Sequence, residues 1–206
     1  MKLALVAATA IVLAASPLSA SALQSPRASG VPSDVQIVRL HDARGDTWSY
    51  SDTSDYVPAP QPAADVLRAT ITHTRYAVGV RMVFDDLRRT GTQWYRVEIH
   101  TPGDTSWFIV EARRNHHAGT TYQDVDGEWV RVPGPSHSID YAADVMTLRV
   151  PRTLLGDPPW VRVRLHDELR APDGTIFTDN PMNEGTDAAF TPRIPSPALV
   201  PRGPLS

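Results

Sequence analysis

Alternation of apolar and polar side chains is the feature of this sequence that most constrains its fold. Residues 144–167 contain two such runs, Met146, Leu148 and Val150 before a short proline-bounded turn, and Val161, Val163 and Leu165 after it. Side chains of a β-strand point alternately to its two faces, so these runs predict strands with one buried face and one solvent-exposed face. Because antiparallel sheets tolerate a solvent-facing side, the pattern predicts a layered antiparallel fold.

The same period recurs through residues 34–190. Further apolar sets predicted to face inward are Leu67, Ala69 and Ile71; Val78, Val80, Met82 and Phe84; Tyr95, Val97 and Ile99; and Phe108, Val110 and Ala112. Weaker strands are predicted at residues 36–40, 128–132 and 136–141, and helical periodicity is limited to one turn near Leu154. We therefore predict an all-β antiparallel β-sandwich with jelly-roll or immunoglobulin-like layering, eight or more strands and little helix.

The two ends of the chain differ in composition from the middle. Lys2, an apolar run over residues 3–15 and the ending Ala20-Ser21-Ala22 predict a signal peptide over residues 1–22, and hence a secreted, extracellular or cell-wall-associated protein. Residues 23–33 are rich in small residues and predict a flexible leader, and the proline-rich residues 191–206 predict a flexible tail. The remaining residues, 34–190, are predicted to form one β-sandwich domain.

Composition narrows the classes of partner. The chain has no cysteine, so it has neither disulfides nor thiol chemistry. Its net charge of −3 and the absence of a basic block argue against nucleic acid as a partner. The N-terminal apolar run is short for a membrane span and no second one follows, so we predict no span.

An acidic loop follows the first predicted strand. Asp42, Asp46, Asp52 and Asp55 lie close together in sequence, beside the flexible Gly45. Several carboxylates on a flexible loop can wrap around a hard cation, so these four residues are candidate calcium ligands. The alternative is a solvated loop in which the aspartates form turns.

The pentapeptide VRLHD occurs twice, at residues 38–42 and 163–167, each time as the predicted end of a strand. If the first and last strands lie side by side, the side chains that meet at one end of the sandwich are His41, Asp42, His166, Asp167 and Asp173. Two imidazoles with carboxylates would suit zinc or a similar metal. The alternative is that both histidines are ordinary surface residues.

A second candidate site is the outward face of the hairpin over residues 93–114. Trp94, Arg96 and Glu98 share one side of its first strand, and Trp107 and Glu111 share the matching side of the second. Large aromatic side chains among charged ones are typical of a platform that binds sugar or peptide. Alternatively, these residues form cross-strand pairs that stabilise an exposed sheet, or a loop covers the tryptophans.

The order of segments resembles a known superfamily. An aspartate-rich D-x-x-G-D loop at residues 42–46, the strand pair over residues 64–87 and the closing LRVPRTLLGDPPWVRVRL at residues 148–165 resemble DOMON-like and family 9 carbohydrate-binding-module-like sandwiches, particularly secreted ones of high-GC Gram-positive bacteria. The resemblance covers residues 35–179. It implies a β-sandwich that binds sugars, haem or other small ligands, often with a structural calcium ion.

Motifs for catalysis are missing: the sequence has no G-x-S-x-G, no H-E-x-x-H and no P-loop. We therefore expect a secreted non-catalytic binding or surface-interaction module whose ligand is a glycan or cell-wall component. One alternative is a secreted hydrolase with a loop-end site near His41, Asp46 and His166. Another is a structural envelope protein without a small ligand.

Overall fold

The computed structural model describes residues 35–51, 54–181 and 189–197, which belong to one compact unit. The predicted signal peptide, the leader, Asp52 and residues 198–206 lie outside these residues. The strands are β1 Val35–His41, β2 Trp48–Ser51, β3 Ser54–Pro58, β4 Val66–Thr74, β5 Ala77–Phe84, β6 Thr92–His100, β7 Thr105–Arg113, β8 His116–Val125, β9 Glu128–Val130, β10 Ser136–Asp140, β11 Val145–Pro151, β12 Trp160–Arg170, β13 Ile176–Asp179 and β14 Ile194–Pro195. A 3-10 turn, Arg152–Leu155, is the one helical element of the described part.

The strands form two antiparallel sheets. The five-stranded sheet has the order β1-β4-β5-β11-β10, and the nine-stranded sheet has the order β3-β2-β13-β12-β6-β7-β8-β9, with β14 also paired to β12. This arrangement confirms the predicted all-β sandwich with more than eight strands. None of the described residues forms a helix long and apolar enough to cross a membrane.

The core lies between the two sheets and consists mostly of the side chains predicted to alternate inward. Met82 and Leu148 from one sheet and Tyr95 and Phe108 from the other are at most 1% exposed and belong to one continuous cluster. Leu67 is half-buried instead, because a β-bulge between Val66 and Arg68 shifts the register there. Burial of both inner faces is what holds the sheets together.

Residues 191–197 pack onto the sandwich, so the prediction of a flexible tail from Thr191 onward does not hold for this segment. Ile194 is 2% exposed within the core, and β14 pairs with the start of β12. The Thr191 hydroxyl accepts a hydrogen bond from the Val163 backbone at 2.9 Å, and His73 Nδ1 donates to the Ile194 carbonyl at 3.0 Å. One apolar side chain and a few hydrogen bonds thus anchor a proline-rich segment.

Candidate functional site

Three carboxylates converge at the end of the sandwich where β1 and β13 finish. Asp42 directly follows β1, Asp46 lies in the loop to β2, and Asp179 is the last residue of β13; one oxygen from each lies within 4.8 Å of the others. The Asp42 backbone donates to the Leu67 carbonyl at 3.0 Å, which fixes the start of the loop against β4. Oxygen ligands at this spacing can hold a hard cation.

Backbone donors aim Asp179 into this site. The amides of Val66 and Asn180 donate to its two oxygens, each at 2.6 Å. Burial, together with the nearby charges of Asp42 and Asp46, raises the pKa of Asp179 to about 8. A carboxylate held this way binds a cation favourably, because the cation offsets both the desolvation and the repulsion.

Two more aspartates are buried beside the three. Asp65 is 1% exposed, accepts from the Gly45 amide at 2.6 Å, and has its pKa raised by burial and by the charge of Asp46. Asp167 is fully buried and lies opposite Asp179 in the β12–β13 pair, and burial raises its pKa well above the usual range. The Oδ1 atom of each has no hydrogen-bond partner among the described residues, which is costly for a buried polar atom.

The sequence analysis predicted only part of this cluster. Asp42 and Asp46 come together as expected, but Asp55 is exposed on β3 and is not one of the three converging residues. Asp65 and Asp179 were missed. Asp167 had a usable signal, because it continues the inward alternation of Val163 and Leu165.

The predicted side-by-side pairing of the two VRLHD strands is wrong, although their terminal aspartates, Asp42 and Asp167, both lie at the cluster around Asp179. β1 is an edge strand of the five-stranded sheet, whereas β12 lies inside the other sheet and continues past Asp167 to Arg170. His41 and His166 therefore point outward on opposite faces of the sandwich, and Asp173 is exposed in the β12–β13 turn. Neither the proposed zinc ligands nor the hydrolase site of His41, Asp46 and His166 is assembled.

The predicted platform residues share the outer face of the nine-stranded sheet, where most are paired with neighbouring polar side chains. Trp94 Nε1 donates to Glu111 at 3.0 Å, and Glu111 also forms an ion pair with Arg113 at 2.7 Å. Glu98 is paired with Arg164. Glu98 and Glu111 are only 6% and 9% exposed. Both side chains therefore stabilise this face and leave little surface for a ligand to contact.

Arg96 belongs to a second polar group on this face. It forms an ion pair with Glu168 at 2.6 Å, and His166 lies 3.1 Å from the same carboxylate. Burial by itself would raise the pKa of Glu168, but the hydrogen bond from His166 and the charge of Arg96 outweigh it and lower this pKa below its usual value. The pairs hold Arg96 against the sheet.

Two exposed tryptophans lie in one row across the sheet. Trp107 on β7 is 36% exposed and Trp129 on β9 is 42% exposed. Asp124 on β8 pairs with Trp129, and continuing the β7–β8 register by one residue places it opposite Trp107. Two interstrand spacings separate the indoles by about 10 Å. Trp129 was missed as a site residue, although the Asp126-Gly127 turn predicts the hairpin that carries it.

The fold and these two clusters define an antiparallel β-sandwich with an acidic cluster at one end and an aromatic row on one outer face. No protein-family model, no curated protein and no solved structure matches this chain.

Proposed function

We propose that this protein is a secreted, non-catalytic binding module that contacts a glycan through the outer face of its nine-stranded sheet. The observation that carries the proposal is the row Trp107, Asp124 and Trp129, in which two exposed indoles flank a carboxylate. The apolar faces of sugar rings stack on indoles, and their hydroxyls donate to carboxylates. With the indoles about 10 Å apart, the row would engage separate rings of one oligosaccharide.

The sequence-predicted residues take a supporting role in this proposal. Trp94 is half-buried and bonded to Glu111, so it packs against the sheet beside the row. The Arg164 guanidinium lies 5.3 Å from the Trp107 ring centroid while paired with Glu98, which fixes the indole in place. The resemblance to family 9 carbohydrate-binding modules points to the same ligand class.

Removal of either exposed indole should weaken glycan binding. We expect Trp107→Ala and Trp129→Ala each to lose roughly tenfold in affinity, because each removes one stacking surface. Isothermal titration with cellohexaose, xylohexaose and chitohexaose measures this. Tyr76→Ala is the matched control, since Tyr76 is 61% exposed at the turn between β4 and β5 of the other sheet. A flat titration with all three sugars, or an equal loss in the control, contradicts the proposal.

A structural calcium ion is the second proposed ligand, bound by Asp42, Asp46 and Asp179. The observation that favours it is their convergence within 4.8 Å, next to the unpartnered buried oxygens of Asp65 and Asp167. Calcium takes six to eight oxygen ligands in flexible geometry, which suits carboxylates from separate loops. The ion would tie the ends of β1 and β13 together and so join the two sheets.

Calcium should stabilise the chelator-treated protein. At a concentration 100 times its dissociation constant, it should add about 2.7 kcal/mol to the free energy of unfolding. Urea unfolding in EDTA and then in calcium measures this increment. We expect Asp46→Asn and Asp179→Asn to abolish it and Asp55→Asn, an exposed aspartate of the same region, to keep it. Identical stability in EDTA and calcium, or an increment that depends on Asp55, contradicts the site.

A further inference from the structure

Four arginines lie on the outer face of the five-stranded sheet, on the side of the sandwich opposite the tryptophan row. They are Arg39 on β1, Arg68 on β4, Arg81 on β5 and Arg149 on β11, and all are exposed. None of them forms an ion pair within the part of the chain that the structure describes. The described strands of this sheet place one acidic side chain on the face, Asp140 at the end of β10.

Three of these arginines, Arg68, Arg81 and Arg149, follow a diagonal across neighbouring strands. On β5, Val83 lies opposite Arg68 of β4, and Arg81 lies two residues before Val83. Gly79, a further two residues back along β5, lies opposite Arg149 of β11. Each step thus crosses one strand and moves two residues along it, which separates neighbouring side chains by about 7–8 Å. Three central strands therefore present a continuous cationic strip.

Hydroxyl groups flank this strip and line a shallow groove of about 480 Å³. The groove-lining hydroxyl residues are Thr70, Thr72, Thr74, Ser136, Ser138 and Thr147. Gly79 lies in the groove, and a Cβ there would come within 2.5 Å of Thr72 Oγ1. The missing side chain keeps the groove open between Thr72 and Arg149.

We propose that this face binds an acidic polysaccharide, a chain whose sugars carry carboxylates. A guanidinium holds a carboxylate through two parallel hydrogen bonds, and the threonine and serine hydroxyls exchange hydrogen bonds with sugar hydroxyls. The strip presents regularly spaced guanidinium groups to the regularly spaced carboxylates of such a polysaccharide. The groove gives the sugar chain a path over β4, β5 and β11.

The chemistry of the face favours a glycan over other polyanions. The outward positions of β4, β5 and β11 carry no aromatic side chain on which bases would stack. The sheet face has no helix or ribbon to enter a duplex groove. Residues 1–33 contain no acidic residue, so they lack the charge to cover the strip.

Binding of the full chain to polygalacturonate tests the proposal, with fully methyl-esterified polygalacturonate as the uncharged probe. We expect isothermal titration to detect the acid polymer alone, with an affinity that falls as salt rises. The pair Arg81→Gln and Arg149→Gln should weaken binding roughly tenfold or more. The matched pair Arg114→Gln and Arg170→Gln removes the same charge from exposed positions elsewhere and should leave binding unchanged.

The proposal would be overturned by no binding to polygalacturonate, by equal losses in the two arginine pairs, or by equally tight binding of the methyl ester. Single-stranded DNA of the same charge number that binds as tightly would also overturn it, because the face would then recognise charge alone. The Trp107→Ala variant should keep its affinity for polygalacturonate. A result that contradicts polysaccharide binding by the arginine face is therefore distinguishable from one that contradicts glycan binding by the row Trp107, Asp124 and Trp129.

Discussion

Ile194→Ala should lower the free energy of unfolding by about 3 kcal/mol, because it removes a buried aliphatic side chain and leaves a cavity. Ile194 is 2% exposed and belongs to the main core, although it lies in a two-residue strand. Its backbone also receives the hydrogen bond of the buried His73. Urea-induced unfolding followed by tryptophan fluorescence measures the loss.

Pro195→Ala is the matched control for this prediction. Pro195 is the neighbouring residue of the same strand but is exposed, so its truncation should change stability by no more than about 0.5 kcal/mol. A flexible tail, as the proline content predicts, would make both substitutions neutral. Equal and negligible effects would therefore contradict the packing of residues 191–197.

Gly91→Ala should destabilise the protein by about 4 kcal/mol, through two contributions of similar size. Gly91 has φ +72°, where any other residue is strained, and a Cβ there would come within 2.2 Å of the Arg170 carbonyl oxygen. This oxygen belongs to the end of β12, so the clash falls on the backbone and cannot be relieved by rotating a side chain. Thermal unfolding with and without the substitution measures the effect.

Gly174→Ala separates the two contributions. Gly174 has φ +93° but no atom lies near the position of its Cβ. It should therefore show only the backbone strain, of order 1–2 kcal/mol. If the two alanine variants are equally stable, the close approach of β6 and β12 beside Gly91 is not as the structure has it.

The alternation of apolar and polar side chains predicted the sandwich, because the residues that give one face of a strand its apolar character are close together in the sequence. Val78, Val80 and Met82 could be assigned inward from their spacing alone, and the structure confirms it. The strand β8 was not predicted: its first residues belong to the polar stretch RRNHHAGTTYQD, and its inward positions are Gly119 and Thr121. A strand whose inner face is small and polar gives no apolar period to detect.

The candidate sites were only partly predictable, because they join residues that are distant in sequence. Asp42 and Asp46 are neighbours in one loop and were found, whereas Asp179 reaches them through the pairing of β13 with β12. Trp129 shares a row with Trp107 only by virtue of the registers across β8. Strand order and register depend on the whole chain, and a local pattern does not contain them.

The position of β12 has a consequence for how the chain is completed during synthesis. β12 lies between β13 and β6 in the nine-stranded sheet, yet it is made well after β6, with β7 to β11 between them along the chain. Until Trp160–Arg170 has left the ribosome, β6 has an open edge that can pair with another chain. Completion of this sheet must therefore wait for β12, and a partner that shields the edge of β6 in the interval would protect the nascent protein from aggregation.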